Sequence, residues 1–168
     1  DRLIARYFKP IARHPGAFNL LDDAAALAPP PGHELVLTVD AIVAGVHFFA
    51  GDPADAIAKK ALRVNLSDLA AKGAAPVGFL LTLALPKGVS QRWLKAFSRG
   101  LASDAKRYGF PVLGGDTVRT PGPLTISVTV FGALPKRKMV HRFGAKVNDH
   151  IFVTGTIGDA ALGLKLRM

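Results

Sequence analysis

The chain has 168 residues, 49% of them hydrophobic and 20% charged, with a formal net charge of +10. That length suits one good core, or one domain plus part of another. It holds no Cys, which excludes disulfides and thiolate metal sites and points to a reducing cytoplasm, and no apolar run approaches the roughly 20 residues that span a bilayer.

The excess positive charge suggests an anionic partner: nucleic acid, a membrane surface or a polyphosphate substrate. The basic residues are spread along the chain, with one cluster at Lys136-Arg137-Lys138 and no long run interleaved with aromatics. The start lacks the apolar core of a signal peptide. A first residue of Asp and an ending at Leu166-Arg167-Met168 read as those of a fragment.

In chain order, Leu3 to Ile11 reads as a short amphipathic helix. Asp22 and Asp23 follow in an otherwise apolar segment, and Pro29-Pro30-Pro31-Gly32 reads as a turn or connector. Glu34 to Asp40 has the pattern of a strand, with Val36, Thr38 and Asp40 on one face. Val43 to Phe49 reads as a second extended piece carrying His47, either a satisfied histidine or a ligand. A helix is predicted from Asp52-Pro53, with Asp52 as its cap, Asp55 in its first turn and its stop at Gly73 and Pro76. At about 100° per residue, Asp68 falls in line with Ile57, Ala61 and Val64, with Asn65 beside it. A carboxylate at the end of an apolar stripe needs a partner or a cation. The pair with Lys72 at i,i+4 and a metal-binding role both remain open on spacing alone.

Val77 to Leu85 reads as a nearly continuous apolar strand. Ser90 can cap a second helix, in which Trp93, Leu94, Phe97, Leu101, Ala105 and Tyr108 recur at helical spacing, Trp93 and Phe97 reading as core. Val112 to Thr117 reads as a short strand running into a glycine turn with Asp116. Leu124 to Leu134 alternates as a half-covered strand. A further strand over Asp149 to Gly155 and a helix from Gly158 follow. A domain boundary is expected near 136–145, giving an N-terminal unit over 1–138 and the beginning of another over 139–168.

Eleven Asp stand against a single Glu, Glu34. Asp1, Glu34 and Asp104 read as surface acids. Asp22, Asp23, Asp40, Asp68 and Asp116 instead sit at apolar or glycine-rich element ends. Short carboxylates in such places suit hard cations, and Mg²⁺ takes one or two protein carboxylates plus waters and phosphate oxygens. Several acids therefore suggest more than one Mg²⁺. Neither a Walker-type phosphate loop nor a dinucleotide-binding glycine motif is present, but metals can support phosphoryl transfer without either.

Six segments in order resemble the thiamine-monophosphate kinase family: Leu21-Asp22-Asp23-Ala24-Ala25, Thr38-Val39-Asp40 with Gly45-Val46-His47-Phe48, Val64 to Ala71, Gly114-Gly115-Asp116-Thr117, Arg142 to Lys146, and Val153-Thr154-Gly155. The family shares its superfamily with aminoimidazole ribonucleotide synthetase, hydrogenase-maturation and selenophosphate synthetase enzymes. The resemblance implies an α/β (α+β) fold, a sheet flanked by helices whose sheets pair in a homodimer. It implies ATP-dependent conversion of thiamine monophosphate to thiamine diphosphate. Carried over, Asp23, Thr38, Asp40, Asp68 and Asp116 become the Mg²⁺ shell, with Asp40, Asp68 and Asp116 catalytic. Gly115, Asp116 and Arg142 become ATP contacts, and His47 a contact to thiamine monophosphate. No nucleic-acid or membrane partner is implied.

Three positions depart from the family pattern: Leu21 and Asn148 each replace a glycine, and Val39 replaces a hydroxyl residue. The family also has a whole C-terminal domain of which only a first strand and helix are expected here, so the chain by itself is expected to have little activity. A related ATP-dependent synthetase is the alternative within the enzyme class. Outside it stand a basic nucleic-acid-binding module and a non-catalytic dimerisation scaffold.

Overall fold

The computed structural model describes residues 2–168; Asp1, read above as a surface acid, lies outside them. Four strands form one mixed sheet: β1 His33–Val43, β2 Ala75–Pro86, β3 Val112–Thr120 and β4 Thr125–Pro135. The spatial order is β1-β4-β2-β3. The last strand in sequence thus lies inside the sheet, antiparallel to β1 on one side and to β2 on the other, while β2 and β3 run parallel.

The alternation along β4 explains that position. Ile126, Val128 and Val130 are fully buried, and the residues between them are half-buried. With Phe79, Leu83 and Leu85 of β2 and Val36 and Ile42 of β1, they make the face on which α2 Ala54–Lys72 and α3 Gln91–Tyr108 pack. The helices contribute Ile57, Ala61, Leu62 and Leu69 from α2, and Leu94, Phe97 and Leu101 from α3. Each of the larger side chains among them stabilises the fold by about 1.5–3 kcal/mol when fully buried. α3 begins as expected, with Ser90 Oγ accepting from the Trp93 N–H at 3.1 Å. Both helices stop at left-handed glycines, Gly73 and Gly109.

Several expectations are corrected. Pro53, not Asp52, is the N-cap of α2. The Asp52 carboxylate turns back to accept from the Phe49 N–H at 3.0 Å and pairs with Arg167. Beyond β1, residues 44–49 form a turn closed by a single bridge from Ala44 to Phe48, not a second strand. The N-terminal helix is shorter than expected: α1 spans Arg2–Tyr7 and a 3-10 turn takes over at Lys9–Ile11. Asp104 is no surface acid; it is buried between α2 and α3.

After Pro135 the chain is almost wholly exposed. Arg142–Gly144 is a 3-10 turn and α4 spans Asp159–Lys165, but residues 149–155 form no strand. A strand needs a ladder partner for its N–H and C=O groups, and no described residue pairs with this segment. The segment returns to the body through Arg167, whose guanidinium lies 4.6 Å from the centre of the Phe49 ring. No helix among the described residues is long and apolar enough to cross a membrane.

Candidate functional site

Apart from Arg142, the expected site residues fall in two places, one on each face of the sheet. On the helix-covered face, the period of two along β1 turns Thr38 and Asp40 toward α2. Thr38 Oγ1 donates to Asp68 Oδ2 at 3.2 Å. This is the partner that Asp68 finds; no ion pair forms with Lys72 among the described residues. Asp40 and Asp68 line one open cavity of about 640 Å³ with Lys59, Lys60, Arg63 and Ser67.

These three cations escaped the sequence reading. They lie on the turns of α2 that precede Asp68, and the i,i+4 spacing of Lys59, Arg63 and Ser67 is the signal that puts them along one side of the helix. Arg63 is held by Asp104 in a two-pronged pair, Nε to Oδ2 at 2.7 Å and Nη2 to Oδ1 at 3.0 Å. Hydrogen bonding to that carboxylate raises the guanidinium above its already high pKa. Beside Asp68 on the core side, Asn65 is fully buried. Its Nδ2 donates to the Ala61 carbonyl at 3.0 Å, and its Oδ1 has no partner among the described residues.

His47 adjoins this cavity. Its Nδ1 accepts from the Val43 N–H at 3.1 Å, which in the neutral ring leaves the proton on Nε2. Lys60 donates to the His47 carbonyl, so a lysine lining the cavity also ties down the turn that bears the histidine.

On the opposite face, β3 carries Gly115 and Asp116, and Asp116 stands in register with Thr82 of β2. Together with Asp22 and Asp23 they line a second cavity, of about 770 Å³, floored by Leu80, Thr129 and Phe131. Gly115 is required by space: a Cβ there would lie 1.8 Å from the Leu81 carbonyl oxygen, at φ +151°. Asp116 Oδ1 accepts from the Thr117 N–H, and Asp22 Oδ1 from the Asp23 N–H, each at 2.7 Å. Arg142 lines neither cavity; it lies in the exposed 3-10 turn beyond the sheet.

Thus Thr38, Asp40 and Asp68 come together, as do Asp23, Gly115 and Asp116, but the five expected Mg²⁺ ligands do not converge on one point. Among the described residues no three His, Asp or Glu side chains stand close enough to hold one ion. Each cavity instead offers carboxylates, two in the first and three in the second, with a hydroxyl nearby. That oxygen-only donor set fits Mg²⁺, which completes its shell with water and phosphate oxygens.

Comparisons with known proteins identify relatives of this chain. The AIR synthase related protein, N-terminal domain, matches residues 21–134. The thiamine-monophosphate kinase of Caulobacter vibrioides is 50% identical over 162 residues, which make up 96% of this chain and 46% of that protein. Among solved structures, the thiamine-monophosphate kinase of Stenotrophomonas maltophilia K279a is 41% identical with a TM-score of 0.83, over 99% of this chain and 51% of that one. AaThiL complexed with AMPPCP and TMP is 32% identical with a TM-score of 0.77, over 90% of this chain and 52% of that one. The chain spans about half the length of the curated relatives it matches. The matched residues take in β1 to β4 up to Leu134 and the acids of both cavities, and on that ground the chain belongs to the AIR synthase related protein family, through its N-terminal domain.

Proposed function

We propose that this chain forms the Mg²⁺- and nucleotide-binding part of a kinase that transfers the γ-phosphoryl group of ATP directly to thiamine monophosphate, giving thiamine diphosphate. The observation that carries this reading is the oxygen-only cluster of Thr38, Asp40 and Asp68 rimmed by Lys59, Lys60 and Arg63. The names of its relatives, and the AMPPCP and TMP held by AaThiL, support it. The nucleophile is a phosphate oxygen, anionic at neutral pH, so no general base is needed. The obstacle is repulsion between two polyanions: a like-charge pair at about 4 Å costs around 4 kcal/mol at an effective dielectric of about 20. Mg²⁺, when bound, supplies the countercharge that offsets this repulsion. Thr38, Asp40 and Asp68 would hold one such ion on one side of the sheet, and Asp23 and Asp116 another on the other side. Gly115 lets the nucleotide approach the backbone closely, Arg142 contacts ATP, and His47 contacts the thiamine phosphate.

The division into 1–138 and 139–168 belongs to this reading, as does a homodimer. β4 uses both of its edges inside the sheet, so the half-covered character seen in its sequence points to a face, not an edge. Leu37 and Val39 of β1 are exposed on that face. Light scattering should give a dimer mass, and Val39→Lys should shift it to that of a monomer; a monomer for the unaltered chain at high micromolar concentration overturns the dimer.

Asp68→Asn tests the kinase reading. The substitution keeps shape and removes charge. In the intact protein, metal-free melting should be unchanged or slightly raised, and thiamine diphosphate formation should fall by a hundredfold or more, on the order of the loss expected for removing one electrostatic stabiliser. Near-normal turnover across a Mg²⁺ titration would sink the role assigned to Asp68.

A further inference from the structure

The α2–α3 contact contains one ion pair that the reading above leaves unused. Asp104 of α3 is 1% exposed, and both of its oxygens are taken by Arg63. As a fastener this pair is replaceable, because apolar residues of similar volume often hold such a contact equally well. Orientation is what an apolar pair would not provide. Guanidinium is a planar group with five N–H donors, and the fork fixes its plane while using two of them. The three remaining N–H groups point away from Asp104. The Arg63 side chain stays 47% exposed and lines the cavity that holds Asp40 and Asp68.

The other two cations of that cavity are ammonium groups, which keep free donors but have no fixed plane. Lys59 lies 3.8 Å from Asp55, and Lys60 is bonded to the His47 carbonyl. Arg63 alone among the three presents a planar edge of free donors whose orientation is fixed by a second residue. Such an edge suits two oxygens of one phosphate group. Asp40 and Asp68 would repel a bare anion, so the ligand must arrive with a divalent cation between it and the carboxylates.

We infer that Arg63 is a phosphate-binding residue of the β1–α2 cavity and that Asp104 is its positioning residue, the ligand being the Mg²⁺ complex of a phosphate-bearing small molecule. The inference rests on the phosphoryl-transfer reading for the choice of ligand, but its test requires no turnover. Mg²⁺-pyrophosphate is titrated calorimetrically into this chain and its variants. Arg63→Ala should weaken binding about tenfold or more, the loss expected for a charged hydrogen-bonding group. Arg63→Lys should fail to restore it, since an ammonium cannot make the fork. Asp104→Asn should weaken binding about fivefold, although that buried carboxyl cannot touch the ligand. Should Asp104→Asn not fold, the double variant Arg63→Met with Asp104→Leu keeps an apolar helix contact and should reproduce the loss seen with Arg63→Ala.

Affinity within twofold of the unaltered chain in Arg63→Ala, even with a lowered melting temperature, overturns the inference by leaving a purely structural pair. Full rescue by Arg63→Lys overturns it too, as does undetectable binding by the unaltered chain at millimolar Mg²⁺-pyrophosphate. If binding behaves as expected while the intact protein makes no thiamine diphosphate, the kinase reading fails and the phosphate site stands.

Discussion

The two faces of the sheet are finished in different ways. The helix-covered face is sealed by whole helices, and Phe79, Leu83, Ile126, Val128 and Val130 there are fully buried. The other face is roofed only over β2 and β3, by short turns carrying Phe8, Ala17 and Leu20, while Leu37 and Val39 remain 58% and 60% exposed. The candidate acids follow the same division. Thr38, Asp40 and Asp68 are placed by packing, because β1 and α2 share a core and carry their polar ends to its rim. Asp116 and Asp22 are instead placed by backbone, each accepting from the next N–H in sequence. A site built on two elements moves only if the core moves. Asp116 stands inside the β2–β3 ladder next to Gly115, where a Cβ has no room, so that half of the site is sensitive to a single backbone position.

Substitution at Gly115 is the most direct way to break the backbone-built half. Gly115→Val would push a Cβ into the Leu81 carbonyl, and the β2–β3 pairing would have to open. A loss of about 3 kcal/mol or more is expected in urea unfolding, with the helix-covered face keeping its core. A variant as stable as the parent would mean that β3 adapts freely, and the contrast between the faces would lapse.

Asp104→Ala probes the packing-built half and should cost less. Breaking a fully buried pair costs about 3–5 kcal/mol, but Arg63 is half-exposed and can turn to water. A loss of about 2 kcal/mol is therefore expected by the same measurement. A change below about 0.5 kcal/mol would place this pair with surface ion pairs, and orientation would be its only role.

The smallest effect concerns the segment past the sheet, which belongs to neither face. Hydrogen bonding to Arg167 holds the Asp52 carboxyl below its ordinary value of 3.8. A depressed folded pKa contributes stability above the unfolded value and loses it as pH falls through the folded one. Acidification below about 3.8 should thus loosen residues 159–168 from the 44–53 turn before the sheet unfolds. Side-chain NMR signals of Phe49 and Arg167 should move in that window, and Asp52→Asn should abolish the effect. Signals that stay fixed until global unfolding would show that the contact does not depend on charge.

What could be read in the sequence was whatever a short window holds. The alternation of β4, the spacing of α3 and its Ser90 cap are local signals, and the structure bears them out. Asp104 was misread because its partner lies 41 residues away, and an acid in an amphipathic helix looks like surface until a neighbouring helix is placed against it. Asp52 has the chemistry of a cap, but the Phe49 N–H and Arg167 compete for its oxygens and win. Residues 149–155 have the pattern of a strand without a ladder partner. For the site, the residue types at element ends suggested metal chemistry, and the family resemblance singled out the individual residues. Their distribution over two faces follows from the strand order, which no local pattern encodes.

That strand order has a consequence for how the chain acquires its shape. β1 pairs with β4 from His33–Pro135 to Val43–Thr125, so the first strand must wait for nearly the whole domain before it has a neighbour. During synthesis β2 and β3 can associate through α3, but β1 has no place in the sheet until β4 emerges and slides between it and β2. Closing so long a loop before any pairing is gained slows folding. Until then β1 offers its backbone groups and its Leu37 and Val39 side chains to whatever is nearby. The last of these four strands to be made is the keystone of the sheet, and the interval before it arrives is when the sheet is most exposed to misassembly.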